Sequence, residues 1–532
     1  MDLAKIHLQR LSELRAERQE HEQEWKECYE MTAPERLPSF NGFKEDRKKA
    51  RAKLFDTTGA NATQILISAI ISGTTPANAI WFKAVPDGVD DQGQITEGER
   101  WLDAACRTMW RNIHGSNFDS ENPDTVADSV IAGFGVLYIA EDEEDGVVFE
   151  NWGISNTYIA STKRSGAIDT IYRVSSMTAQ AIVNEYGEDA VHHEIAKCAK
   201  DNLSKRFDIL HVICPRKDGE VGGISTNKPF ASIHIAVSNK KLLREGGYDE
   251  FPCAVPRMYK KVNSSYATGQ VSKALPDIKQ LNALARMNTE SAEMSIFGMW
   301  LGVDDGIMNP SSIVIGPKKL HVARSKDALT RIDGGANYQI SEYIGERLSR
   351  SIQSILMADQ LRGFNDRTMT ATEVTERVNL IRQQLGPMFG RWQTELLSSI
   401  LERVFAIELR RGSLGEMPDE LQGRTMQFKF INPLARSQQL EEVANTEMFL
   451  ASLANIVELD STIADNVNFD KAVNVISNGR GVPDTIIRTA EEVDKIRKRR
   501  EQIQQEQQQE AQQQEMMSGA MEMAAKNPEG ML

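Results

Sequence analysis

The stretch from Thr370 to Gly412 constrains this chain more than any other. It opens Thr370-Ala371-Thr372-Glu373, an S/T-x-x-E capping box. In such a box the threonine hydroxyl satisfies an orphan amide and the glutamate bonds back to the cap. Apolar residues then recur at Val374, Val378, Ile381, Leu385, Met388, Trp392, Leu396, Ile400, Val404 and Ile407. Every step is three or four residues, so one helical face is apolar throughout. Arg410 and Arg411 suit the negative end of the helix dipole, and Gly412 follows as the left-handed cap. At about 1.5 Å per residue the helix would run on the order of 60 Å. Gly386-Pro387 falls inside it, where proline removes a hydrogen bond and clashes with the preceding turn, so a kink is predicted there. A long core helix with a tolerated kink would account for the pattern, but a large ring or lever has more use for the length.

The 532 residues leave room for about three or four domains. No apolar run approaches the roughly 18–20 residues of a membrane span. Met1 leads into a charged amphipathic helix rather than a secretory signal, so the chain is expected to begin life in a cytoplasm. Cys28, Cys106, Cys198, Cys214 and Cys253 are scattered and form no CxxC pair, which predicts reduced, buried thiols and no zinc site. A net charge of −14 argues against tight non-specific nucleic-acid binding over the whole surface, though not against a surface past which DNA slides.

In chain order, residues 3–30 read as a charged helix, followed by a polar loop with Pro34 and Pro38. Small-residue helix Ala62–Ser72, an aromatic strand start at Ile80-Trp81-Phe82 and amphipathic helix Glu97–Ile113 come next. Residues 126–262 read as a β-rich module: an apolar run punctuated by Gly133 and Gly135, a hairpin closed by the acidic turn Glu141–Gly146, and strands at Thr157–Ala160, Thr170–Val174, Phe207–Cys214 and Phe230–Val237 around a helix near Ala179–Tyr186. A helix begins at Ala274, with Pro276 near its first turn, and runs to about Ser295. Residues 297–335 form a small module with β-prone pieces at Met299–Val303, Ile313–Ile315 and Leu320–Ala323, and Tyr338–Ala358 is helical again. Beyond Gly412 come a strand at Met426–Ile431 and helices at 437–458, 461–466, 470–478 and 483–515. The fold class is α+β and helix-rich.

A search for chemistry is largely negative. There is no GxxxxGK[ST], no GxGxxG after a strand, no GxSxG and no HExxH. His192-His193-Glu194 reads as a solvated helix end, because adjacent side chains point apart and no third ligand is near. Glu141–Asp145 lacks calcium-loop spacing and Asp304-Asp305-Gly306 reads as a turn. Gly133-Phe134-Gly135 is too short for a phosphate loop and points to close backbone packing. No catalytic residue, cofactor or metal site is predicted. Two basic groups are candidates for phosphate-facing cations: Arg362 and Arg367 in the loop between two long helices, and Lys318, Lys319, Arg324 and Lys326 in the small module. Solvent-exposed charge is the plainer account of each, and the Lys495–Arg500 cluster reads as a solvated helix face.

An ordered series of segments carries a likeness. It runs Phe55-Asp56, Thr74-Thr75-Pro76 with Trp81-Phe82, Gly133-Phe134-Gly135-Val136-Leu137-Tyr138, and Ala274-Leu275-Pro276-Asp277-Ile278-Lys279 with Leu281-Asn282. It closes with Met369-Thr370-Ala371-Thr372-Glu373-Val374 and Leu385-Gly386-Pro387. Over about residues 5–500 the chain resembles the portal (head-to-tail connector) proteins of short-tailed, podovirus-type bacteriophages. Tyr266-Ala267-Thr268-Gly269 departs from the Tyr-Gly-x-Gly such proteins tend to carry.

The resemblance implies a ring-assembled portal fold. Residues 1–262 would be the wing, 263–296 and 336–358 the stem helices lining a channel, and 297–335 the clip that engages tail adaptors. Residues 359–369 would be a tunnel loop bringing Arg362, Asn365 and Arg367 to DNA, 370–412 the kinked wing helix and 413–436 a wing strand. Residues 437–515 would form a helical crown, and 516–532 a disordered tail. Function would be that of twelve copies at one capsid vertex of the virion, through which double-stranded DNA is packaged and ejected. The implied partners are a terminase ATPase, tail adaptors, and major capsid and scaffolding proteins, with no membrane. Twelve chains at −14 would make a wall that repels DNA, adjusted by local cation rings. A coiled-coil structural scaffold is the main rival; it would have no need of the β-rich module. A metal-dependent enzyme is the second, and it lacks a visible ligand cluster.

Overall fold

The structure is a computed structural model. It describes residues 3–40, 47–86, 97–142, 146–297, 299–302, 329–332, 338–361, 386, 388–421, 423, 426–431, 443–454, 466–480, 488, 493–500 and 502–503. Helix and sheet are mixed, as an α+β class requires. The chain divides into two units, Met1–Ala77 with Arg111–Arg411, and Asn78–Trp110 with Gly412–Leu532.

In chain order the elements are α1 (Leu3–Thr32), α2 (Arg47–Ala52), α3 (Thr58–Thr74), β1 (Phe82–Pro86), α4 (Glu97–Gly115) and α5 (Phe118–Ala132). Then come β2 (Leu137–Asp142), β3 (Gly146–Asn151), β4 (Thr157–Ala160), β5 (Thr170–Thr178), α6 (Ala179–Tyr186), α7 (His193–Asp201), β6 (Arg206–Pro215), β7 (Phe230–Ala236) and β8 (Lys241–Tyr248). Short strands β9 (Cys253–Ala254), β10 (Tyr259–Lys260) and β11 (Ala267–Thr268) precede α8 (Gln270–Phe297). After it lie β12 (Met299–Gly302), β13 (Leu329–Ile332), α9 (Tyr338–Ile355), α10 (Ala358–Leu361), α11 (Ser399–Arg411), β14 (Met426–Phe430) and α12 (Phe469–Arg480).

The first unit is built on an antiparallel five-stranded sheet in the order β4-β5-β6-β7-β8. Successive side chains of a strand face opposite ways, and β6 uses both. Leu210 and Val212 meet Ala4, Leu11 and Leu14 of α1, while Phe207 and Ile209 meet Ile182 of α6 and Ile195 of α7. A three-stranded sheet, β3-β2-β9, contains the acidic hairpin, with Gly146 at φ +82° where the turn demands a left-handed residue. In the second unit β1 and β14 pair antiparallel, with Phe82 opposite Phe430, and Arg497 forks onto Asp470 of α12 at 2.7 and 2.9 Å.

Several expectations are corrected. The apolar run expected within a β-rich module is prefaced by α5, whose interior includes Pro123, so residues 118–132 are helical. Strand β8 is an addition to the expected strands, and the helix end expected at His192-His193-Glu194 is the start of α7. Helix α8 begins at Gln270 rather than Ala274, which puts the exposed Pro276 inside the helix instead of in its first turn. In the long helix the described part starts at Gly386. Met388, Trp392, Leu396, Ile400, Val404 and Ile407 are all buried, and Gly412 caps it at φ +73°. Residues Gln393–Ser398 are π-helical rather than α-helical. The reason lies in the stripe, which advances in four consecutive steps of four between Met388 and Val404. In an α-helix each such step overshoots a turn by about 40°, and the wider π turn brings the apolar positions back to one face. Thr370–Leu385 and Pro387, hence the predicted kink, lie outside the described residues.

All five cysteines are free. Burial pushes the Cys28 and Cys106 thiols up to about 12, whereas Cys198 and Cys214 are only partly buried. Among the described residues no helix is long and apolar enough to cross a membrane.

Candidate connector site: a helical hairpin

Helices α8 and α9 form an antiparallel pair. Gln270 Nε2 donates to the Ile355 carbonyl at 2.6 Å, Ser351 Oγ to Asp277 Oδ2 at 2.6 Å, and Ser341 Oγ to Asn288 Oδ1 at 2.6 Å, so the register holds along the pair. Gly345 lets the helices close up, its face lying against Leu284 and Leu281. Beyond the distal ends of the pair, β12 and β13 pair as an antiparallel ribbon, Met299 opposite Ile332 and Gly302 opposite Leu329.

The two halves of the hairpin differ in cover. Proximally, Val271, Ala274, Leu275, Ile278, Leu281, Leu348, Ile352 and Leu356 are buried. Distally, Met287, Met294, Ile296, Ile340 and Tyr343 are 53–74% exposed. Isolated exposed apolar residues are ordinary, whereas a contiguous exposed apolar patch is the usual mark of an interaction surface.

The proximal half is anchored by segments that the sequence had singled out separately. Asn282 Oδ1 accepts from the Phe55 and Asp56 amides at 2.7 and 3.1 Å, while its Nδ2 donates to the Lys53 carbonyl at 3.0 Å. Asp56 in turn accepts from the amide and hydroxyl of Thr58 at the start of α3. Lys279 pairs with Glu27 of α1, and that hydrogen bond is the main reason the Glu27 carboxyl sits below its ordinary value. The glycines 133 and 135 do serve close packing: a Cβ at Gly133 would collide with the Ala267 carbonyl, and one at Gly135 with that of Thr125. Nearby, Trp25, Phe134 and Tyr266 stack edge-on and tilted with centroids 5.3–5.4 Å apart.

Two buried polar knots brace this base. Asp128 accepts from Tyr29 at 2.6 Å, Arg36 at 3.1 Å and Asn151 at 3.2 Å; burial raises its carboxyl above the usual range, with Arg36 opposing. Arg257 is 2% exposed and grips Glu395 from both sides, Nη2 to Oε1 at 2.5 Å and Nε to Oε2 at 3.2 Å, while its own amide reaches Oε2 at 3.1 Å. Glu395 lies on the π turn, which thus sets the acceptor for this arginine.

Of the residues singled out for DNA contact, Arg362, Asn365, Arg367, Lys318, Lys319, Arg324 and Lys326 lie outside the described residues. Gly386 is helical, with open space around it. His192 caps α7, accepting from the Glu194 amide, as a helix end should. Among the described residues no group of three histidine, cysteine, aspartate or glutamate side chains could hold a metal. Arg257 and Glu395 are not singled out by the sequence, and Gly269 is noted there only as part of a turn. The one visible signal was a lone arginine in the apolar Cys253–Met258 stretch, a position where an unpaired charge is costly.

Comparison with known proteins agrees in scope with this architecture. Over 517 residues the chain is 27% identical to a protein named "Portal protein" of Salmonella phage epsilon15, covering 93% of this chain and 90% of that one. It is 23% identical over 533 residues to the "Probable portal protein" of Bordetella phage BPP-1, covering 94% and 91%. Residues 4–487 match the family described as bacteriophage head to tail connecting protein. The chain therefore belongs to that family, whose members are structural components of the phage particle rather than enzymes.

Proposed function

We propose that the protein is the subunit of a ring of about twelve copies at one capsid vertex, through whose channel double-stranded DNA enters and leaves the phage head. A head-to-tail connector has capsid and tail partners by the nature of its place. In this reading α8 and α9 are the stem, the β12–β13 ribbon is the base of a clip for tail adaptors, and 359–369 with Arg362, Asn365 and Arg367 reaches the DNA. The cations of 318–326 belong to the clip, and a terminase supplies the packaging energy. Scaffolding and major capsid proteins surround the wing, and 437–515 makes the crown. The observation that carries the reading is the hairpin with a buried base and an uncovered apolar distal half. Such a surface suits heterologous head-to-tail contacts between copies, which close into a ring. The five-stranded sheet supports it against a coiled-coil scaffold, which would have no use for one.

Native mass spectrometry of the purified protein, with negative-stain images of the same sample, tests it. Rings of about twelve subunits with a central hole are expected. A defined dimer or a filament would overturn the reading.

A further inference from the structure

Arg257 has work beyond its pairing with Glu395. The same guanidinium donates to the carbonyls of Gly166 (2.9 Å) and Ser265 (3.3 Å), and so ties together two surface turns. One is Lys163–Gly166, closed by the Gly166 amide on the Lys163 carbonyl at 3.0 Å. The other joins β10 to β11, and Lys260 of β10 reaches back to the Ser165 carbonyl at 3.4 Å.

Three of the exposed side chains on these turns are cationic: Lys163, Arg164 and Lys260. Among the described residues none of the three has a carboxylate within ion-pair distance, because the neighbouring acids are engaged elsewhere. Asp169 is buried and accepts from Thr162 and Thr170; Glu24 pairs with Lys261 at 3.4 Å; Glu395 holds Arg257. At the tip of the first turn the Arg164 and Ser165 amides have no acceptor among the described residues. Three uncompensated cations and free turn amides thus share one platform in a chain of net charge −14. Its backbone is fixed by a buried ion pair, so little order is lost when a ligand arrives.

A surface on which uncompensated cations and free amides stand together calls for a ligand rich in anionic acceptors. A docked protein would require an apolar centre, and the one large apolar side chain exposed on the two turns is Val262. Lysine and arginine heads together with turn amides are the set that grips phosphates without reading bases. We propose that the two turns held by Arg257 form a contact site for the phosphate backbone of duplex DNA, about three phosphates wide and blind to sequence. The site uses no residue of the hairpin or of 359–369, so its failure would leave the ring-and-channel reading intact.

The test is fluorescence anisotropy of a labelled 20-base-pair duplex on the full chain at increasing salt. A triple variant, Lys163→Gln with Arg164→Gln and Lys260→Gln, is compared with a control carrying Lys197→Gln, Lys217→Gln and Lys240→Gln. These control lysines are exposed, lie elsewhere and change the net charge equally. Each contacted phosphate contributes about 0.9 to the log–log salt slope. The triple variant should therefore lose roughly 2.7 from that slope and bind at least tenfold more weakly at low salt, the control less than threefold. Equal losses in both variants, an unchanged slope in the triple variant, or no binding by the wild-type chain would overturn the proposal. Selective binding of polyglutamate in place of DNA would overturn it in favour of an acidic protein partner.

Discussion

Gly133 and Gly269 meet at a backbone crossing where neither can carry a side chain. A Cβ on Gly133 would collide with the Ala267 carbonyl and lie 2.8 Å from the Gly269 amide, and one on Gly269 would collide with the Ile131 carbonyl. Gly133 also sits at φ +102°, outside the range a side chain tolerates readily. The crossing seats the end of α5 against the strand that leads into α8, so it fixes where the hairpin begins.

Gly133→Ala should therefore destabilise by roughly 2–4 kcal/mol, the sum of left-handed strain and overpacking. Gly269→Ala should cost roughly 1–3 kcal/mol from overpacking alone. Gly153 is exposed, with nothing near its face, so Gly153→Ala should stay within about 0.5 kcal/mol. Urea unfolding followed by tryptophan fluorescence reads all three. Equal midpoints for Gly133→Ala and Gly153→Ala would refute the crossing as a packing constraint.

The Arg257–Glu395 pair predicts a non-additive cycle. Removing one partner leaves the other without its counter-charge, Arg257 buried and Glu395 half-buried, at a cost of up to roughly 3–5 kcal/mol. Arg257→Met and Glu395→Leu should each show that loss, and the double variant should lose clearly less than their sum. Strict additivity in denaturation would show that the two charges do not compensate each other.

Stability should fall in acid because of two stacked histidines. His211 and His234 lie opposite each other on β6 and β7 with ring centroids 4.0 Å apart, bonded to Ser232 and Tyr186 rather than to carboxylates. Burial is the main cause that holds His211 well below its ordinary value and brings His234 down to about 3, and the nearby Arg244 works in the same direction. Below pH 6.5 the unfolded chain takes up protons at these sites, which the folded chain refuses at His234 until about pH 3. Across that window stability is lost as pH falls, by up to about 1.4 kcal/mol per unit for each site. Melting temperatures from pH 7 to 4 should decline less steeply in His234→Gln than in the wild type; parallel curves would remove His234 from the account.

The distal hairpin predicts a separation of folding from assembly. Ile340→Glu with Tyr343→Glu alters exposed positions, so the melting temperature of the subunit should be unchanged. Burying those charges between copies would be costly, and assembly should weaken at least tenfold. Native mass spectrometry of the variant still showing full rings would place the subunit contact elsewhere.

Much of this protein is local and was legible from the chain alone. The helix stop at Arg411-Gly412, the acidic hairpin, the buried stripe from Met388 to Ile407 and the thiols outside any disulfide follow from spacing and residue type, because neighbours in sequence set those interactions. Tertiary structure decided what depended on residues far apart in the chain. Helix α8 starts four residues early because Gln270 has the Ile355 carbonyl to bond and Gly269 a backbone to press against. The π turn at Gln393–Ser398 puts Glu395 where Arg257 requires it, 138 residues earlier in the chain. Asn282 stands out in the sequence only as part of a segment, and its role appears when Phe55 and Asp56 bring it their amides. Local propensity is written residue by residue, whereas a buried charge or a bare glycine has a purpose only when its partner arrives.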